Sequence, residues 1–321
     1  MSPAGENGGT VAAGLAVRGA LKEAIARLRA AEVPSAILSA ELLLMHVLGR
    51  DRTWLYTHPE EPLDLYALAK YFALIARRAA GEPTQYLTGK QEFWGLEFEV
   101  TPAVLIPRPE TEHIIEVALE RLGPRGIKIN MKTGAPNPAL RVADVGTGSG
   151  CIAVALGREL PHATIVATDI SAPALEVARR NATRNSVADQ IQFLETDLLA
   201  AVLDEPETAG HEKRAFDLIV SNPPYVAASD AESLQREVRE HEPASALFGG
   251  PTGVEIYTRL IGQAASLLRP RGILVLELGY GAADAVRRLF HVQQAWANVS
   301  LTNDLAGIPR VIAAERTAST S

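Results

Sequence analysis

Residues 142–150 read VADVGTGSG. An apolar, β-branched run ends in three glycines, Gly146, Gly148 and Gly150, and the next ten residues, CIAVALGREL, carry the spacing of a helix. Glycine at such a strand-to-helix turn lets the backbone approach a ligand closely, and the amides of the helix N-terminus face that ligand. The spacing is G-x-G-x-G, not the G-x-G-x-x-G of dinucleotide binders. A tight turn with no ligand would read the same way, so the stretch alone leaves both readings open.

Working outward from it, the pattern repeats. TIVATD (164–169), IQFLETD (191–197), FDLIVSN (216–222) and GILVLELG (272–279) read as strands. APALEVARRNATRN (172–185) and VEIYTRLIGQAASLL (254–268) read as helices. AWANVSL (295–301) and RVIAAER (310–316) add two strands, seven in all with the first. Strands alternating with helices imply an α/β fold, a mostly parallel sheet covered on both faces.

In such sheets ligands sit at the carboxyl ends of the strands. Asp169 ends the second strand, 19 residues past Gly150. A carboxylate there can accept two hydrogen bonds from a ribose diol. Its simpler reading is a helix cap, but Ser171 is the better cap residue, which frees Asp169 for a ligand. Asp197 ends the third strand, where it either lines a nucleoside pocket or starts a loop. Asp144 either braces the glycine loop or faces the cofactor.

The fourth strand runs into Asn222, Pro223, Pro224 and Tyr225, in DLIVSNPPYV (217–226). Two prolines have no N–H and a fixed φ, so the corner is stiff and its polar groups are mainly acceptors. Asn222 Oδ1 and a backbone carbonyl can accept two N–H bonds from one planar amine or amide, with the Tyr225 ring as a wall. Pro-Pro alone would mark a turn. Its place beside the glycine loop favours a binding corner.

The remainder bounds the organisation. A chain of 321 residues suits two domains, and a formal net charge of −7 gives no global basic field for nucleic acid. One cysteine, Cys151, rules out an internal disulfide. The first residues lack a basic segment leading into an apolar run, so no signal peptide is expected. No stretch reaches the roughly 20 apolar residues of a membrane span. Residues 1–16 read as a disordered tail, 17–90 as a helical domain, 91–110 as a β-hairpin connection and 111–321 as the catalytic domain. In the helical domain the expected stripes are Leu21, Ile25 and Leu28; Leu38, Leu42, Met45 and Leu48; and Leu65, Leu68, Phe72 and Ile75. Residues 123–140 and 204–214 read as loops. Cys151 reads as a packing residue, Trp94 as a hairpin anchor, Glu277 as a group near the site or a cap, and 232–243 as a solvated helix. Arg108 and Glu112 either pair or face the site. No histidine or cysteine spacing suggests a metal site.

DVGTGSG, Asp169 and NPPY together resemble class I S-adenosylmethionine-dependent methyltransferases, which have a Rossmann-like fold. GEPTQYLTGKQEFWGLEFEVTPAVLIPRPETE (81–112) and LTNDLAGIPRVI (301–312) more specifically resemble the protein-(glutamine-N5) methyltransferases of peptide chain release factors, the PrmC/HemK family. The resemblance covers about residues 17–315. It implies S-adenosyl-L-methionine as cofactor and a release factor as protein substrate, methylated on the glutamine amide of a Gly-Gly-Gln motif. It also implies that Gly146, Thr147, Gly148, Ser149 and Gly150 bind the methionine end, Asp169 the ribose, and Asp197 with Leu198 the adenine. Family members often carry a larger residue than Leu198. Asn222, Pro223, Pro224 and Tyr225 would hold the substrate amide, Asn222 also bordering the cofactor, under a roof from Leu105 to Glu112, while the helical domain grips the release factor. A cytoplasmic location follows, with no stable nucleic-acid or membrane partner. Three other readings are a nucleic-acid amino-methyltransferase using the same corner for adenine or guanine, a nicotinamide-dependent oxidoreductase, and a non-catalytic module that docks on release factors.

Overall fold

The computed structural model describes residues 15–123, 139–204 and 215–318. Nearly all of the expected disordered tail and of the loops at 123–140 and 204–214 lies outside them. The chain divides into two compact units, Met1–Gly89 and Lys90–Ser321.

The first unit is helical: α1 Val17–Ala30, α2 Ala36–Leu48, α3 Arg52–Thr57, α4 Leu65–Ala79 and α5 Thr84–Thr88. Asp51 and Asp64 cap α3 and α4, accepting from the amides of Trp54 and Ala67, each at 2.7 Å. Gly49 ends α2 in the left-handed conformation. The buried faces differ from the expected stripes. In α1 the buried residues are Val17, Ala20, Ala24 and Leu28, with Leu21 and Ile25 only partly covered. In α2 they include Ala36, Ala40, Leu43 and Leu44, and Leu38 is 47% exposed. In α4, Leu68, Tyr71, Leu74 and Ile75 are buried and Leu65 is 66% exposed. The reason is packing distance. Alanines at the seam let helices approach closely, and interaxial distance follows the side chains at the contact. A reading that follows only the largest side chains picks the wrong rotation. Tyr71 closes the seam by donating to the Ala40 carbonyl at 3.0 Å.

The second unit opens with a hairpin, β1 Lys90–Phe93 and β2 Leu96–Glu99. Trp94 and Gly95 make its two-residue turn, both at positive φ. Then come α6 Glu112–Leu122, β3 Arg141–Val145, α7 Cys151–Glu159, β4 Thr164–Asp169, α8 Ala172–Arg184, β5 Ile191–Glu195, α9 Ala200–Leu203 and β6 Phe216–Ser221. A small insertion follows, with β7 Val226–Ala227, α10 Arg236–His241, α11 Ala244–Leu247 and β8 Phe248–Gly250. α12 Glu255–Leu267, β9 Leu268–Glu277, α13 Ala283–Val292, β10 Trp296–Asn303 and β11 Pro309–Arg316 complete it.

Seven strands form one sheet in the order β10-β11-β9-β6-β3-β4-β5. Only β11 runs against the others, pairing antiparallel with both β9 and β10. Alternate residues feed two cores. Val142, Leu218, Val220, Ile273 and Val275 face α6, α7 and the hairpin. Ala143, Val145, Ile219, Leu274 and Leu276 face α12 and α13. Burial on both faces is why these strands read as continuous apolar runs. The chain leaves β3 toward β4 and later returns to β6 on the other side of β3. Strand order therefore reverses at β3, which puts a crevice at its carboxyl end.

Candidate active site

The crevice is a cleft of about 290 Å³ lined by the glycine loop, Asp169, Asp197, Leu198, Asn222, Pro224 and the segment above them. Its floor is the turn after β3. The amides of Gly146 and Thr147 donate to the Thr168 carbonyl at 2.8 and 2.9 Å, which ties the loop to β4. Gly146, Gly148 and Gly150 all lie at positive φ. Nothing stands within 4 Å of where a Cβ would project from Gly146 or Gly148, so the backbone there is open to a ligand. Gly150 differs: a Cβ would lie 3.0 Å from that of Ala178, so it is needed for close packing of α7 on α8.

Asp144 braces this loop. Its Oδ2 accepts from Thr147 Oγ1 at 2.6 Å and from the Ala153 amide at 3.0 Å. Its Oδ1 has no partner, and full burial pushes its carboxyl up to about 7, against the pull of those two donors. Asn181 holds the loop from the other side. It donates to the carbonyls of Ser149 (2.8 Å) and Glu99 (3.0 Å) and accepts from the Glu99 amide (2.7 Å), joining loop, α8 and hairpin.

Asp169 is not free of structural duty. Ser171 does cap α8, accepting from the Ala174 amide at 3.3 Å. Asp169 also accepts from the Ser171 amide at 2.9 Å and from the Gly148 amide at 2.8 Å. Burial raises its pKa against these amides. Each carboxylate oxygen has a second lone pair, so the residue can brace the loop and still accept from a ligand. Asp197 pairs with Arg259 of α12 at the cleft edge. Leu198, at positive φ, lies against the second core.

The corner after β6 is held at several points. Ser221 Oγ donates to the Val145 carbonyl at 2.7 Å, locking β6 beside β3. Asn222 Nδ2 donates to Thr111 Oγ1 at 3.1 Å. β7 pairs in parallel with β8, whose Gly249 lies against the corner: a Cβ on Gly249 would fall 2.4 Å from the Pro224 carbonyl oxygen. One on Gly253 would fall 2.4 Å from the Tyr225 carbonyl oxygen. Asn222 and Pro224 line the cleft, whereas Pro223 is buried and the Tyr225 ring packs toward Gly279. Ala103, Val104, Leu105, Pro107 and Thr111 roof the cleft.

Two family signatures match this chain: the PrmC N-terminal domain over residues 19–89 and the methyltransferase small domain over residues 125–241. It is 45% identical over 95% of its length to the release factor glutamine methyltransferase of Koribacter versatilis, all of which is covered. It is 40% identical over 98% of its length to the protein so named in Nitratidesulfovibrio vulgaris, again covering 98% of the relative. This chain belongs to the release factor glutamine methyltransferase family. A solved catalytic domain of hMettl16, bound to a MAT2A 3′UTR hairpin, superposes with a TM-score of 0.53 at 18% identity, covering 77% of this chain and 84% of that one. That likeness shows the class I methyltransferase fold alone.

A class I enzyme of the release factor glutamine methyltransferase family uses S-adenosylmethionine, and the cleft fits it. The open glycine cradle, a half-buried carboxylate with spare lone pairs and the apolar Leu198 are the polar groups and surface such a nucleoside needs. Within this family site, the roof differs in detail from the sequence reading. Arg108 does not pair with Glu112. It pairs with Glu242, at the end of α10, while Glu112 accepts from the Trp94 amide at 2.8 Å. Glu242 is buried, so the 232–243 stretch is not solvated throughout. Burial raises the Glu242 pKa despite Arg108. These partners are 134 residues apart, and no local spacing announces them. Asn181 did leave a signal: a polar side chain within the apolar stripe of Ala174, Val177, Ala178 and Ala182. Trp94 anchors the hairpin through Nε1 to Glu159 at 2.8 Å. Cys151 is buried at the start of α7 and its thiol is pushed up to about 12, too high for a thiolate nucleophile. No metal-binding cluster occurs among the described residues. No described helix is long and apolar enough to cross a membrane.

Proposed function

We propose that this protein transfers a methyl group from S-adenosylmethionine to the side-chain amide nitrogen of a glutamine in a peptide chain release factor, at its Gly-Gly-Gln motif. The observation that carries the reading is Asn222. Its NH2 is engaged by Thr111, so its carbonyl oxygen is the group left to the cleft beside the glycine loop. An amide substrate offers two N–H donors and needs two acceptors. Asn222 Oδ1 is one. The resemblance to the family implies the Pro223 carbonyl as the second, and it is consistent with this that the carbonyls of Pro224 and Tyr225 lie against Gly249 and Gly253.

When bound, S-adenosylmethionine supplies a methyl group already activated on a sulfonium. Gly146 to Gly150 would hold its methionine end, Asp169 its ribose diol, and Asp197 and Leu198 its adenine. An amide nitrogen is a poor nucleophile because its lone pair is delocalised. Two accepted hydrogen bonds orient it toward the methyl group and favour the positive charge that grows on it. The nitrogen gains the methyl, the sulfonium becomes a thioether, and one N–H proton is released afterwards. No strong base is required. Tyr225, packed behind the corner, would stiffen it rather than stack openly on the substrate. The site of action would be the cytoplasm, with the helical unit contacting the release factor.

The test is transfer of labelled methyl from S-adenosylmethionine to unmodified release factor, with a Gln→Ala variant of its Gly-Gly-Gln motif beside it. Label on the native factor alone is the expected result. Label on neither, with cofactor bound, would overturn the substrate assignment and turn attention to exocyclic amines of nucleic acid.

A further inference from the structure

The segment that roofs the cleft grows out of the hairpin. Glu99 is the last residue of β2, and the chain reaches the cleft at Ala103, followed by Val104, Leu105 and Pro107. Between them Thr101 makes a tight turn. Its hydroxyl accepts from the Ala103 amide at 3.3 Å and its carbonyl from the Val104 amide at 3.0 Å. Fixing Glu99 therefore fixes where the roof begins.

α8 holds Glu99. A strand rises about 3.3 Å per residue and a helix about 1.5 Å, so positions i and i+2 of a strand match i and i+4 of a helix laid beside it. That match occurs here. Arg184 and Asn185 donate to the carboxylate and the carbonyl of Glu97 at 2.9 and 3.4 Å. One turn earlier, Arg180 and Asn181 donate to the carboxylate and the carbonyl of Glu99 at 2.8 and 3.0 Å.

Asn181 does more than its neighbours. It is fully buried, and its carboxamide is saturated. Oδ1 accepts from the Glu99 amide at 2.7 Å. Of its two Nδ2 protons, one goes to the Glu99 carbonyl and the other to the Ser149 carbonyl at 2.8 Å. Backbone amides only donate and backbone carbonyls only accept, so these three partners fix which end of the carboxamide is which. Ser149 belongs to the glycine loop and lines the cleft. Gly150 brings α8 within this reach, since a Cβ there would stand 3.0 Å from that of Ala178, on the turn before Asn181.

We propose that Asn181 is a positioning residue for the cofactor: its one carboxamide joins the roof of the cleft to the glycine floor and so sets the space between them for S-adenosylmethionine. The proposal rests on the reading of the glycine loop as the cradle for the methionine end. Asn181 does not itself line the cleft and acts through the backbones of Glu99 and Ser149.

Asn181→Asp keeps the size and the acceptor but can serve at most one of the two carbonyls. The expected result is a cofactor Kd raised by about 10-fold, within the range typical of coupling between linked sites. At saturating cofactor, kcat and the KM for release factor should stay close to native. A residue that only held the fold together would lower the folded fraction, and with it the apparent kcat, at unchanged Kd. Asn181→Ser, whose smaller side chain leaves room for water, is measured beside it in case the first variant does not fold, and the same split is expected. Gly148→Ala places a methyl group in the cradle itself and should also weaken the cofactor. If Gly148→Ala weakens binding and the Asn181 variants bind as the native protein does, the link from roof to floor is wrong and the cradle stands. If Gly148→Ala binds natively as well, the cradle reading fails with it. A loss of kcat at unchanged Kd in the Asn181 variants would also overturn the proposal.

Discussion

At Asp169 one carboxylate serves two purposes. It fastens the glycine loop to the start of α8 through two backbone amides, and it also lines the cleft. Asp169→Ala should weaken S-adenosylmethionine by about 10- to 100-fold, from the loss of charge-assisted bonds worth roughly 1.5–3 kcal/mol; titration calorimetry would read it, and unchanged affinity would leave Asp169 a loop brace only. Asp144 presents a different problem. Its folded pKa, near 7, lies above the ordinary carboxylate value, so the folded chain holds a proton that the unfolded chain gives up. Its contribution to stability is therefore greatest below about pH 4, the unfolded value, and is lost as pH rises toward 7. Asp144→Asn keeps an acceptor for Thr147 and cannot ionise. Thermal unfolding should show the variant gaining on the native protein by on the order of 3 kcal/mol between pH 4 and pH 8. A gap that stays constant with pH would mean that Asp144 is not held protonated. At this scale the sequence is legible where a residue acts on its neighbours. Ser171 as a cap and Asp144 as a loop brace follow from positions a few residues away. Thr111 beside Asn222, and Arg108 beside Glu242, join distant parts of the chain, and nothing local betrays them.

Among the elements, the strand-to-helix turn after β3 and the corner after β6 are both made of backbone that glycine allows to come close. The corner's support is the less obvious of the two. β8 reaches it through Gly249, where a methyl group would meet the Pro224 carbonyl oxygen. Gly249→Ala should displace the corner and lower kcat by about 10- to 100-fold, on the scale of positional errors near a reacting centre. Cofactor affinity, set by the opposite wall, should be little altered. Equal loss of both in a steady-state and binding comparison would mean that the whole cleft has shifted. The strands and long helices were readable because their periods are strong. The rotation of α2 was not: its apolar residues surround the helix, and which face is buried is settled by where Ala36 and Ala40 let another helix approach.

In the whole molecule, the two units have separate cores, one built from α1 to α5 and two more on either face of the sheet. A fragment spanning 90–321 should therefore fold and bind S-adenosylmethionine, yet methylate release factor poorly if the helical unit supplies substrate contacts. A gel-based transfer assay on fragment and full chain, with cofactor affinity measured on both, would check this; equal transfer rates would remove the helical unit from substrate recognition. The fold class was legible at this scale because alternating strands and helices leave few topologies. Strand order was not, since it depends on pairings between distant segments.

The one reversed strand has a temporal meaning. β11 lies between β9 and β10, although both are synthesised before it. In the finished sheet β10 is joined only to β11, and β11 in turn to β9, where Val311 stands opposite Glu277. Domains tend to fold as units once their segments have emerged. The order in which these strands are made is therefore not the order in which they pair, and β10 can join the sheet only through a strand that comes after it.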